Sequence, residues 1–167
     1  MTSPPPSSAA GERCWPDLSG RVVEAGGRRH HVLPVRVYFE DTDFSGLVYH
    51  ASYVRWCERG RSDFLRLVGN DHRGLIDGSG GREPAAFVVR RMALEFLKPA
   101  RIDEILEVET RVQDVGAAHL VLDQRIGRDG VALFTAEVMV VLVSVSGKPL
   151  RIASALRSAF GSAGATV

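Results

Sequence analysis

Between residues 105 and 114, Leu106, Val108, Thr110 and Val112 alternate with Glu107, Glu109 and Arg111, so an extended strand here has one apolar face and one wet face. Such a strand demands a covering layer. Segments near 86–97, 118–127 and 131–145 share the period of two and are set apart by Lys98-Pro99-Ala100, Val115-Gly116 and Asp129-Gly130. They predict four antiparallel strands joined by short turns. Upstream, Val22-Val23, Ala25-Gly26-Gly27, Val32-Leu33 and the run from Val35 to Phe39 predict a short hairpin leading into a core strand, with Pro34 at an edge or a strand start.

The cover has one source. From Tyr53 to Val68, apolar or small residues fall at Tyr53, Trp56, Cys57, Gly60, Phe64, Leu67 and Val68, one continuous helical stripe opposite Arg55, Arg59, Ser62 and Arg66. Gly69-Asn70-Asp71 supplies the stop signal. One long helix and one sheet make an α+β architecture, a strongly curved sheet wrapped around that helix. Residues 69–84, with five glycines and a proline, are expected to form a loop, a lid or a mobile connector. A short tail helix near 151–158 is weakly signalled. The expected division is a disordered leader rich in Pro, Ser and Gly over 1–19, one domain over 20–160 and a flexible tail over 161–167.

Charge and cysteine usage narrow the partners. Lys+Arg 21 against Asp+Glu 20 leaves a net charge of +1, which provides no global field to gather nucleic acid or an acidic membrane surface. No segment approaches the roughly 18 apolar residues of a membrane span, and no export signal is legible at the N-terminus. Cys14 and Cys57 form neither a disulfide framework nor a zinc spacing, which suits a reducing cytoplasm. His30, His31, His72 and His119 lack a ligand spacing, so no metal is expected.

Chemistry concentrates between the first core strand and the helix, in Glu40-Asp41-Thr42-Asp43-Phe44-Ser45-Gly46-Leu47-Val48-Tyr49-His50. A helix beginning after His50 aims backbone N–H groups without intrahelical partners at this loop, a place for a developing negative charge. Spacing alone leaves open whether Asp41 or Asp43 does chemistry or only shapes the turn.

The run Val35–Asp43, then Gly46-x-Val48-Tyr49-His50-Ala51-Ser52-Tyr53 and Glu58-Arg59-Gly60-Arg61, closely resembles the YbgC-type acyl-CoA thioesterases, relatives of 4-hydroxybenzoyl-CoA thioesterase. Ala86–Met92, Lys98-Pro99-Ala100-Arg101 and Glu137-Val138 extend the resemblance over roughly residues 33–146. It implies a hotdog fold, a homodimer whose sheets join into one surface with active sites at the interface, and a homotetramer of two such dimers. The family's catalytic aspartate falls on Asp43 and its helix start on His50. The substrate implied is an acyl thioester of coenzyme A or of acyl carrier protein, coenzyme A being part of the substrate and no cofactor being needed. The resemblance also carries an association with the Tol-Pal envelope system.

On those positions, Asp43 serves as general base or as nucleophile, and an N–H at the helix start holds the oxyanion. His50 assists through its ring or only through its backbone. Glu58, two turns further on, either orients water or carbonyl or forms an ion pair with Arg61 or Arg55. Tyr38, Gly46, Val48, Tyr49, Arg90 and Arg91 are the candidate substrate contacts. For Tyr38 and Tyr49 the competing reading is a buried structural tyrosine, and for the arginines, with Lys98 and Arg101, solvated strand ends. Trp56 and Phe64 are core or acyl-tunnel wall, and Cys57 is packing. The competing functions are an acyl-thioester dehydratase or hydratase on the same fold, and a non-catalytic acyl-CoA-binding partner of the envelope system.

Overall fold

The computed structural model describes residues 20–25, 28–69, 72–78 and 83–164; the leader expected over 1–19 lies outside them. The hairpin expected first is present: β1 (Arg21–Ala25) pairs antiparallel with β2 (Arg28–Arg36). Pro34 lies beyond the last β1–β2 pair, Arg21 with Val32, so among the described residues its missing N–H costs no β1–β2 ladder bond. The helix α1 runs from His50 to Leu67. β3 (Ala85–Phe96), β4 (Ile105–Val115), β5 (His119–Arg128) and β6 (Val131–Ser144) follow, with α3 (Ser154–Gly164) at the end.

All six strands form one antiparallel sheet in the order β1-β2-β4-β5-β6-β3. Leu106, Val108, Leu122, Ile126, Phe134 and Val138 are buried on the face that meets Tyr53, Trp56, Cys57 and Phe64 of α1. Glu107 and Arg111 lie exposed on the other. This is the curved sheet on one helix that the alternation and the resemblance required, the hotdog arrangement. Gly60 sets the spacing of the two layers, because a Cβ there would stand 3.0 Å from Val108 Cγ1 and 3.1 Å from Thr110 Oγ1.

Four features differ from the sequence reading. β3 does not form a hairpin with β4; it crosses the molecule and pairs with β6, becoming the sheet's far edge. Leu97 and Lys98 both donate N–H to Leu133 O, which ends the β3 pairing, and the chain then bridges to the 42–48 segment through Leu47–Arg101 and Val48 N–H to Ala100 O at 2.9 Å. The segment 69–84 is not an uninterrupted loop, since it carries α2 (His72–Ile76). On α1, Leu67 is exposed while Leu65 and Asp63 are buried, because the last turns face the hairpin as well as the sheet. Finally, α3 extends past residue 160 to Gly164, held by buried Leu156 and Phe160 and by Arg157 donating to Val115 O and Gly116 O at 2.9 and 2.6 Å.

Candidate active site

Two aspartates of one short motif take opposite roles. Asp41 is buried, and its Oδ2 accepts the Tyr38 N–H at 3.0 Å, closing a 3-10 turn over Phe39–Asp41. Its carbonyl accepts Tyr49 N–H at 2.8 Å and Ser52 Oγ–H at 3.2 Å, tying that turn to the start of α1. Asp41 therefore builds the site. Asp43 is exposed, and its Oδ1 accepts both the hydroxyl and the backbone N–H of Ser45, the latter at 2.8 Å. The Ser45 hydroxyl first, then the Ser45 N–H, hold the Asp43 carboxyl below its ordinary 3.8, so the group is a fixed carboxylate at neutral pH. The turn closes through Gly46 N–H to Asp43 O at 3.0 Å, with Gly46 at φ 75°, a conformation that disfavours a side chain.

A cleft of about 400 Å3 is lined by Asp43, Leu47, Val48, His50, Tyr53, Phe96, Leu97, Lys98 and Pro99. The ring of His50 packs against Tyr49 at 4.3 Å and meets Phe96 edge-on at 6.4 Å. No side chain caps α1, and although the Ser52 N–H donates to Tyr49 O at 2.9 Å, the His50 and Ala51 N–H groups have no acceptor among the described residues and stand available beside this cleft. The Tyr53 hydroxyl accepts the Ala100 N–H at 3.0 Å and its ring stacks on Phe134, pinning the 97–101 connector as the back wall. An ionised carboxylate thus shares a cleft with an imidazole and an uncapped helix start. That set can activate or deliver an oxygen nucleophile and can stabilise an oxyanion.

The remaining candidates separate. Val48 lines the cleft from a buried position, and Gly46 and Tyr49 flank it. Tyr38 and Tyr49 are 60% and 48% exposed, so the buried-tyrosine reading fails for both; the buried tyrosine is Tyr53. Glu58 lies elsewhere, eight residues and roughly 12 Å further along α1 than His50. It accepts the Ser62 hydroxyl at 2.6 Å and, among the described residues, forms no ion pair with Arg61 or Arg55. Arg90 sits at a register shift of the exposed β3 edge, and Arg91 is paired with Glu137 at 2.6 Å. Trp56 is core, and Phe64, also buried, lines a cavity between α1 and the sheet. Burial drives the Cys57 thiol up to about 12, which removes it as a nucleophile. Tyr53 and Phe96 were missed as cleft residues because each reads as core until the β3 crossover is known. Ser45 was legible as the partner of Asp43, standing two residues after an aspartate in a turn.

A sequence profile of the 4HBT thioesterase superfamily matches residues 45–135. The chain belongs to the thioesterase superfamily. Among its relatives there, acyl-CoA thioester hydrolase YbgC of Escherichia coli O6:H1 is 45% identical over 111 residues, covering 66% of this chain and 79% of that protein. Acyl-CoA thioesterase YbgC of Haemophilus influenzae is 37% identical over 129 residues, covering 77% and 92%. The crystal structure of a probable thioesterase from Bartonella henselae superposes with a TM-score of 0.71 at 43% identity, over 74% of this chain and 99% of that one. The superfamily match begins two residues after Asp43, so the role of that aspartate rests on the geometry above.

Proposed function

We propose that this thioesterase-superfamily protein hydrolyses acyl-CoA to the free acid and coenzyme A, with Asp43 as general base. The observation that carries the reading is the placement of an ionised, exposed Asp43 in one cleft with His50 and the uncapped start of α1. The names of the YbgC relatives support the substrate class. Asp43 takes a proton from water as the water oxygen adds to the thioester carbonyl. The oxyanion meets the first N–H groups of α1, and His50 lies within the same cleft. Collapse of the tetrahedral adduct breaks the C–S bond, and the departing thiolate takes the proton that Asp43 holds. The Asp43 Oδ2, which has no partner among the described residues, is the oxygen free for this work.

A second copy of the chain completes the assembly. β3 is a 12-residue edge strand with Val88, Val89 and Phe96 exposed, and antiparallel pairing of two such edges buries them. A tetramer would arise by association of two of these dimers.

The test is thiol release from acyl-CoAs ranging from acetyl to palmitoyl, with benzoyl-CoA added, alongside hydration of crotonyl-CoA. Release without hydration is expected. Hydration without release would replace the hydrolase with a hydratase, and binding without either reaction would leave an acyl-CoA-binding protein.

A further inference from the structure

A second cavity, of about 110 Å3, opens between α1 and the sheet, and no part of it is used by the chemistry above. Its walls are apolar, formed by Phe64, Leu65, Phe87, Leu120, Leu122 and Val140, yet Arg61 stands in the lining. Arg61 is half-buried, and among the described residues its guanidinium donates to a single acceptor, Gln124 Oε1 at 2.7 Å. Gln124 cannot turn away, because its Nε2 is committed to Cys57 O and Thr110 Oγ1, both at 2.9 Å. Among the described residues no carboxylate lies within ion-pairing distance of Arg61. A guanidinium held against apolar walls with most of its donors unused is a costly arrangement for an ordinary hydrocarbon pocket. It suits a ligand that brings its own anion. Glu58, Ser62 and His72 also line the cavity, and the Glu58 charge acts on Arg61, but Glu58 is exposed and hydrogen-bonded to Ser62, whose Oγ meets His72 Nε2 at 2.9 Å, so solvent screens that charge.

The cavity and the Asp43 cleft lie at opposite ends of β3: Phe96 lines the cleft, Phe87 and Val89 line the cavity. Within one protomer Arg61 is eleven residues beyond His50 on α1, roughly 16 Å away, too far for a short acyl chain. Antiparallel pairing of two β3 edges about a two-fold axis brings the Phe96 end of one strand beside the Phe87 end of the other. In the dimer proposed above, the cleft of one protomer would then adjoin the cavity of its partner.

We infer that this cavity is a specificity pocket for a short acyl group ending in a carboxylate, bound by Arg61 of one protomer while its thioester lies at Asp43 of the other. The inference rests on the hydrolase reading above and deepens it. The decisive comparison is glutaryl-CoA against pentanoyl-CoA, two five-carbon acyl groups that differ in the terminal carboxylate. The wild-type protein should favour glutaryl-CoA by about tenfold or more in kcat/KM, the factor expected for one charge-assisted contact. Arg61→Met should abolish that ratio, mainly through KM, and Arg61→Lys, which keeps the charge without the fork, should fall between.

The shared site is tested by mixing subunits. Homodimers of Asp43→Asn should be inactive and those of Arg61→Met unselective, while a mixed dimer holds one site with both residues native and should regain glutaryl selectivity. Hydrolysis of pentanoyl-CoA as good as that of glutaryl-CoA overturns the inference and leaves the hydrolase reading standing. Selectivity absent from the mixed dimer overturns the shared pocket. Absence of thiol release from both substrates is the separate failure of the hydrolase reading, and the inference falls with it.

Discussion

Asp63→Ala should be among the most damaging single substitutions outside the Asp43 cleft. Asp63 is buried on α1, and its Oδ2 accepts the Gly20 N–H at 2.6 Å and sits 2.8 Å from His31 Nε2. Its Oδ1 accepts from Arg66 at 2.8 Å. These bonds fasten the β1–β2 hairpin to the helix. The Arg66 side chain is 60% exposed, so that pair contributes less than about 1 kcal/mol. The other two are hydrogen bonds to a charged group in a buried setting, worth roughly 1.5–3 kcal/mol each and not fully additive. Truncation also strands the His31 ring, which is fully buried, stacks on Phe64 and, among the described residues, already has its Nδ1 unpartnered. The expected loss is therefore about 3–5 kcal/mol, a large fraction of the ~5–15 kcal/mol of a typical domain. Asp63→Asn keeps one acceptor and should lose only about 1–2 kcal/mol. Urea unfolding at fixed protomer concentration, followed by far-UV circular dichroism, measures both. A loss below about 1 kcal/mol for Asp63→Ala would show that the buried pair does not anchor the hairpin.

Three further outcomes follow from particular residues. Burial, outweighing the Asp63 contacts, lowers the His31 pKa below its ordinary 6.5, so the unfolded chain binds a proton there more readily than the folded one. The His31 contribution to stability is complete above 6.5 and declines as pH falls from there toward the lowered folded value; Asn at position 31 should flatten that slope in pH-dependent urea titrations. Gly46→Val forces a β-branched side chain into φ 75°, costing about 1–3 kcal/mol and displacing the turn that carries Asp43, so kcat should fall while the secondary structure persists. Cys57 should resist alkylation at pH 8 in the native protein and react only after denaturation, as read by peptide mass spectrometry.

Local pattern accounts for what the sequence made legible. The alternation about Val108, the helical stripe from Tyr53 to Phe64 and the Asp129-Gly130 turn each depend on neighbours within a few positions, and each appears where expected. The β3–β6 pairing joins residues up to 59 positions apart, Ala85 with Ser144, and nothing in the period of β3 distinguishes that partner from β4. Missing that crossover hid Phe96 and Leu97 as walls of the Asp43 cleft. Asp41 and Asp43 look equivalent in the motif; burial of one and exposure of the other separates structure from chemistry. Arg61 read only as a candidate ion-pair partner of Glu58, because its bond to Gln124, 63 residues later, exists only in the folded chain.

The central claim is that the Asp43 carboxylate drives the reaction, and the most direct test is kcat of Asp43→Asn against wild type on an acyl-CoA that the wild type hydrolyses. The amide retains the size and most of the turn hydrogen bonds, so thermal stability and oligomer size should be unchanged. The expected result is a fall of roughly 10²–10⁴-fold in thiol release. Retention of kcat within a few-fold would contradict the account and move the catalytic role away from Asp43.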